Sequence, residues 1–209
     1  MTPFFCTASE ASLQLDRRAQ RKSLRAARAA LGVLGRRQAS QRIAATIART
    51  VWLAGGRRIA LYLALPEEID TAPLLELALR RRCAVFLPQV LDYRRRRMAF
   101  VAPGRRLRRN RYGIIEFPGG TRAAPWTLQR VFLPLVGFDA HGTRLGMGAG
   151  FYDRALAFRR RRGHWRGPWL VGIAHSCQEV PLLERLPTDI PLDAIVTERG
   201  IRVFRGAFP

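Results

Sequence analysis

The stretch "RVFLPLVGFDAHGTRLGMGAGFYDRAL", residues 130–156, begins as a strand and ends as a helix. Its opening, 130–138, is rich in the β-branched, aliphatic and aromatic residues of a buried strand. Gly146, Gly148 and Gly150 then fall at every second position, and a helix is expected from about Gly150 to Arg162. Glycine accepts positive φ without steric cost and lets another group approach the backbone. The N-terminus of the following helix presents unpaired N–H groups and a positive dipole end, a natural seat for phosphate. Arg144 adds a bidentate donor at the loop's entrance, and Asp153 stands in the first helical turn. A carboxylate beside phosphates makes chemical sense when Mg²⁺ lies between, because that ion is held by one or two carboxylates plus phosphate oxygens. The same residues could equally form a plain turn with Asp153 as a favourable N-terminal acid. The spacing is GxGxG, not the GxGxxG of dinucleotide folds, and no Gly-Lys-Ser/Thr follows as in a P-loop.

On either side of this unit, strands and helices alternate. Residues 58–65 (RIALYLAL), 83–90 (CAVFLPQV), 98–103 (MAFVAP), 169–175 (WLVGIAH), 194–198 (AIVTE) and 201–204 (IRVF) read as strands. The run Arg94–Arg97 turns a hairpin between the second and third of these, and a helix is expected from Thr71 to about Arg82. Near the N-terminus, Leu15–Leu31 and Arg36–Leu53 read as a helical pair broken at Gly32 and Gly35. Residues 1–13 read as a loose extension and 104–127 as irregular chain. The alternation implies an α/β fold: a three-layer α/β/α arrangement with a mainly parallel sheet, an N-terminal helical pair, and one domain over 1–209. In such sheets ligands sit outside the carboxyl ends of the strands, where the glycine loop lies by sequence order.

Composition narrows the function. The 209 residues carry 37 basic and 15 acidic side chains, a net charge of +22, and Lys22 is the only lysine. So much arginine suits a solvated surface, attraction to nucleic acid, or attraction to a small polyanion such as a nucleotide. Cys6, Cys83 and Cys177 are scattered and form no CxxC, which argues against a disulfide framework or a zinc site. His141, His164 and His175 form no HExxH, and no Ser-His-Asp or Cys-His constellation can be argued. No apolar run has membrane-spanning length and the first residues lack a secretory signal, so no membrane partner and a cytoplasmic location are expected.

The segment "FLPLVGFDAHGTRLGMGAGFYDRAL" closely resembles the signature of the 5-formyltetrahydrofolate cyclo-ligase (methenyltetrahydrofolate synthetase) family. The similarity continues through "RKSLRAARAAL", "LYLALPEEIDTAPLLELALRRRCAVFLPQV", "RYGIIEFP" and "VGIAHSCQEVPLLERLPTDIPLDAIVTERG", from about residue 20 to 204. The resemblance implies ATP- and Mg²⁺-dependent cyclisation of 5-formyltetrahydrofolate to 5,10-methenyltetrahydrofolate, with release of ADP and phosphate. It places ATP on Arg21 and Arg25 and along the loop Arg144, Leu145, Gly146, Met147, Gly148, Ala149, Gly150, Phe151 and Tyr152. It gives the folate Leu63 and Glu68 together with Met147 to Phe151 of the same loop. Arg144 and Asp153 are the implied catalytic residues, and Asp153 and Asp189 the implied magnesium ligands, with Asp193 an alternative to the latter. Tyr112 is expected to border the nucleotide. Some of the arginines in the runs at 94–97, 105–109 and 159–162 are expected to attract the polyglutamate tail of cellular folates.

Two other functions compete. A basic nucleic-acid-binding protein would account for the charge, but the arginine runs contain almost no aromatics and no RRM, KH or helix-turn-helix pattern occurs. A folate- and ATP-binding paralogue with little turnover would share the motifs. Asp153→Ala would separate that paralogue from an active enzyme.

Overall fold

The structure, a computed structural model, describes residues 7–104, 106–111, 113–160 and 167–204. Two helices lead, α1 (Thr7–Ala29) and α2 (Gly32–Ala48), followed by a 3₁₀ turn at Val51–Leu53. The break falls at Gly32, whose φ of +64° a side chain would resist, whereas Gly35 is carried inside α2. Helix α1 takes in residues 7–13, where the sequence suggests a loose extension; residues 1–6 lie outside the described chain. The composition there, Thr-Ala-Ser-Glu-Ala-Ser-Leu, is compatible with helix, and the continuous run to Ala29 extends it.

Twelve strands follow among the described residues: β1 (Arg58–Ala60), β2 (Ala84–Asp92), β3 (Arg97–Val101), β4 (Arg108–Arg109), β5 (Ile115–Glu116), β6 (Arg122–Ala123), β7 (Arg130–Pro134), β8 (Gly137–Phe138), β9 (Arg144–Leu145), β10 (Trp169–Ile173), β11 (Ala194–Thr197) and β12 (Gly200–Val203). Helix α3 (Ala72–Arg80) joins β1 to β2, and α4 (Phe151–Ala155) follows β9. Eight strands form one sheet in the order β12-β11-β10-β7-β1-β2-β3-β6. The five from β11 to β2 are parallel, and β12, β3 and β6 add antiparallel edges. The hairpin through Arg94–Arg97 is present between β2 and β3.

The strands show why the sheet is buried on both faces. Ile59, Val85, Leu87, Phe132, Val171 and Val196 meet α2 and α3 on one side, with Trp52 among them. Their neighbours Ala60, Phe86, Val131, Leu133, Leu170 and Ile195 point the other way, towards Leu156 of the chain after α4. Alternate side chains of a strand face opposite ways, so near-continuous apolar runs mark a sheet covered on both faces. Helix α1 lies elsewhere: Leu24 packs with Val136, Leu145 and Leu183, beyond the carboxyl ends of the strands. Burying such a leucine is worth about 2 kcal/mol. That anchor helps to carry a row of arginines across the top of the sheet. Among the described residues no helix is long and apolar enough to cross a membrane.

Candidate active site

Strand order reverses between β1 and β7. From β1 the chain steps to β2 on one side and later to β7 on the other. Such a switch leaves a crevice at the carboxyl ends of the two strands. A cleft of about 980 Å³ opens there. Its wall is formed by Tyr62, Leu63 and Leu65 after β1, Pro134 at the end of β7, the segment from Gly146 to Arg154, and arginines of α1.

The glycine loop forms one rim. Gly148 has φ +98°, and Gly150 has φ +68° as the N-cap of α4. The helix is only five residues long and passes into a 3₁₀ turn at Ala157–Arg160, shorter than the helix expected to Arg162; residues 161 and 162 lie outside the described chain. Gly146 offers its carbonyl to Arg21 Nε at 2.8 Å. A Cβ on Gly148 would stand 3.5 Å from the same guanidinium, so Arg21 lies against the loop. Burial, then the neighbouring Arg17 and Arg25, hold the Arg21 pKa below its ordinary value. Clustered, partly buried cations of this kind are stabilised by an incoming anion. Leu145, an expected member of the ATP loop, instead turns its side chain into the core beside Leu24 and Val136 and does not line the cleft. Its place on β9, between Arg144 and Gly146, which both line the cleft, sets that orientation.

Both aspartates of interest line the cleft, and each is held by an arginine. Asp153 Oδ1 accepts from Arg144 Nη2 at 2.7 Å and from the Ile190 N–H at 3.2 Å. Asp189 Oδ2 accepts from Arg17 Nη1 at 2.7 Å and from the Leu186 N–H at 3.0 Å. Among the described residues no hydrogen bond engages Oδ2 of Asp153 or Oδ1 of Asp189. Two carboxylates, each with a spare oxygen, line the cleft with the glycine loop, and one or two carboxylates are what Mg²⁺ takes from a protein. No group of three or more His, Cys, Asp or Glu residues able to hold a metal occurs among the described residues. Asp193 is placed differently: Arg159 grips it through two bonds of 2.6 and 2.9 Å, the Leu170 N–H donates to it, and it does not line the cleft.

At the opposite end Glu68 is 8% exposed and accepts from the Leu65 N–H at 3.0 Å. Burial raises its pKa, opposed by that bond and by Arg28 and Arg25. Arg28, itself buried, pairs with Glu67 at 3.1 Å and ties the turn to α1. The Tyr62 and Tyr152 hydroxyls are also raised, first by burial and then by Glu68. Phe151 meets the Tyr93 ring edge-on at 6.3 Å, joining the loop to the β2–β3 hairpin. Glu116 is 1% exposed and accepts from the Val90 N–H, Asn110 and Arg108, which fixes that wall of the cleft. Tyr112 lies outside the described chain. His175 is fully buried away from the cleft, and burial lowers its pKa to about 4.

The sequence model of the 5-formyltetrahydrofolate cyclo-ligase family matches residues 14–198. The chain belongs to this family. It is 33% identical to the 5-formyltetrahydrofolate cyclo-ligase of Haemophilus influenzae over 82% of its own length and 92% of that protein. With the Escherichia coli cyclo-ligase it shares 39% identity over 66% of its length and 76% of the relative. The solved 5,10-methenyltetrahydrofolate synthetase of Aquifex aeolicus superimposes with a TM-score of 0.77 at 29% identity, covering 92% of this chain and 95% of that one. The synthetase of Mycoplasma pneumoniae gives a TM-score of 0.68 at 25% identity over 88% and 99%. The match covers both ends of the cleft, from the arginines of α1 to the segment carrying Asp189.

Among the described residues, those that the resemblance assigns to substrates or metal line one cleft, with Leu145 and Asp193 the exceptions. Arg17 and Arg28 escape a motif reading. Their only sequence signal is position: Arg17, Arg21, Arg25 and Arg28 recur at intervals of four, four and three, one face of a helix.

Proposed function

We propose that this chain closes 5-formyltetrahydrofolate to 5,10-methenyltetrahydrofolate at the expense of ATP, in the cytoplasm, and that the cleft at the β1–β7 switch holds both substrates. The observation that carries this reading is the union, in one cleft of a cyclo-ligase family member, of an arginine-backed glycine loop with a buried carboxylate at the far end.

The chemistry requires both ends at once. The N5-formyl group is an amide, and its oxygen is a poor leaving group. Attack of that oxygen on the γ-phosphorus breaks the bond to the β-phosphate bridge and releases ADP. N10 then attacks the activated formyl carbon, phosphate departs with the oxygen, and N10 gives up its proton as the ring closes. Phosphoryl transfer needs positioning and charge neutralisation more than a strong base. Arg21 and Arg25 supply charge from α1, and the loop amides from Gly146 to Gly150 approach the phosphates where side chains would block them. Arg144 holds Asp153 in place. Asp153 and Asp189 would hold Mg²⁺, which would supply positive charge to offset that developing on the phosphates. Glu68 accepts N–H donors of the pterin, with Leu63 against its ring face, and so aims the formyl oxygen at the loop. The polyglutamate tail, where the substrate carries one, runs to the arginines that rim the cleft.

Mixing the protein with 5-formyltetrahydrofolate, ATP and Mg²⁺ is expected to raise the near-ultraviolet absorbance of the methenyl product, with no rise when nucleotide or metal is left out. Asp153→Ala is expected to lower the rate by about a hundredfold or more while circular dichroism stays unchanged. Absence of the rise, together with retention on RNA at about 200 mM salt, would favour a nucleic-acid-binding protein instead.

A further inference from the structure

Arg17 belongs to none of the motifs that mark the loop, the Glu68 turn or the basic pair at 21 and 25. It is nevertheless 5% exposed and lines the cleft one helical turn before Arg21. Its Nη1 donates to Asp189 Oδ2 at 2.7 Å and to the Glu184 carbonyl at 3.1 Å. With the Leu186 N–H on the same carboxylate oxygen, Oδ2 of Asp189 has two donors and Oδ1 has none among the described residues. The arrangement repeats that of Asp153, where Arg144 and the Ile190 N–H share Oδ1 and leave Oδ2. Two buried arginines and two N–H groups of the segment 186–190 thus fix a pair of carboxylates, each with a spare oxygen. A carboxylate held in this way has already lost the rotational freedom that binding a cation would otherwise cost it.

We propose that Arg17 is the positioning residue of Asp189: it locks the carboxylate so that Oδ1 is the atom offered to a divalent cation, and so sets how strongly that cation strengthens nucleotide binding. The inference rests on the nucleotide–metal reading of the cleft given above. Two physical effects oppose each other here and give the test its direction. Arg17 places positive charge beside a metal ligand, so by charge alone its removal would tighten cation binding. Its removal also frees the carboxylate and leaves Asp189 partly buried without its partner, which loosens cation binding. Partners that orient a metal ligand are generally worth about 10–100-fold in affinity, and the second effect is expected to win.

The experiment measures equilibrium binding of a methylene-bridged, non-transferable ATP analogue to the full chain, by calorimetry, with and without Mg²⁺. The quantity read is the enhancement, the ratio of the two dissociation constants. Arg17→Met is expected to shrink the enhancement by about tenfold or more, to change metal-free analogue binding by less than about threefold, and to leave 5-formyltetrahydrofolate binding unchanged. Arg17→Lys, which keeps a donor within reach of Asp189, is expected to restore most of it. Arg17→Gln is measured beside them, so that a poorly folding Arg17→Met does not end the test. An enhancement equal to or larger than that of the unsubstituted protein in either folded neutral variant overturns the proposal. So does an equal loss of metal-free and metal-assisted binding, which would make Arg17 a general phosphate attractor. If the unsubstituted protein shows no Mg²⁺ enhancement at all, the nucleotide–metal reading of the cleft fails together with the role of Arg17.

Discussion

Glu68 is caught between two demands. Burial favours its neutral form and raises its pKa, yet its proposed role, accepting N–H donors from a bound pterin, needs the carboxylate. Because the folded-state value lies above the unfolded one, its contribution to stability is fully present below the unfolded value near 4.5 and is lost as pH rises through the folded value. Wherever Glu68 is ionised in the folded protein, it costs stability, which the proposed recognition of substrate would offset. The KM for 5-formyltetrahydrofolate is expected to climb on acidification from a pH above the ordinary glutamate range. Glu68→Gln is expected to raise KM by about tenfold or more while leaving the melting temperature equal or higher. A variant that melts earlier with KM unchanged would assign Glu68 to the fold instead. Such residues are legible in the sequence because they stand in short, ordered motifs. Their partners are not: Arg17 and Asp189 are 172 positions apart, and only the topology brings them to 2.7 Å.

At the level of elements, periodicity gives the order of strands and helices but not where each one stops. The apolar run 58–65 reads as one strand, yet β1 ends at Ala60 and the ladder closes with the Leu61 N–H on Phe86. Tyr62, Leu63 and Leu65 then line the cleft. Pocket walls and strand interiors draw on the same residue types, so the run carries no sign of the change. The segment 104–127, read as irregular, holds three two-residue strands: β4 and β5 pair around buried Glu116 rather than on a hydrophobic pattern, and β6 joins β3 at the sheet edge. The glycine loop was legible because its backbone demands are specific. Those demands give a prediction for two neighbouring substitutions. At Gly150 a Cβ would meet open space but φ is +68°, so Gly150→Ala is expected to cost about 1–2 kcal/mol in urea unfolding through backbone strain. Gly148→Ala adds a Cβ beside Arg21 and is expected also to raise KM for ATP by several-fold, about one kcal/mol. Equal effects of the two on KM for ATP would mean that Arg21 does not depend on the shape of the loop.

Across the whole molecule the net charge is +22, and the cleft shares in it. Arg17, Arg21, Arg25, Arg96, Arg144, Arg154 and Arg160 all line the cleft, against the acids Glu68, Glu116, Asp153 and Asp189. Several of these arginines are occupied, Arg144 by Asp153, Arg17 by Asp189 and Arg160 by the Thr188 carbonyl. Arg96 stands in the turn of the β2–β3 hairpin with φ +52°, at the outer edge of the cleft, and pairs with no acid among the ion pairs of the described residues. A field of this sign draws anions from a distance set by the Debye length, about 10 Å at 0.1 M salt. A monoglutamyl folate brings few carboxylates into that field, whereas a chain of glutamates brings one more with each unit. The KM of a polyglutamylated substrate is therefore expected to rise more steeply with salt than that of the monoglutamate, with the two converging near about 0.5 M, where the Debye length falls to about 4 Å. Arg96→Gln is expected to flatten the polyglutamate slope and leave the monoglutamate slope as it was. Parallel slopes for the two substrates would reduce the rim arginines to solvated surface and confine the attraction of the cleft to the phosphates of ATP.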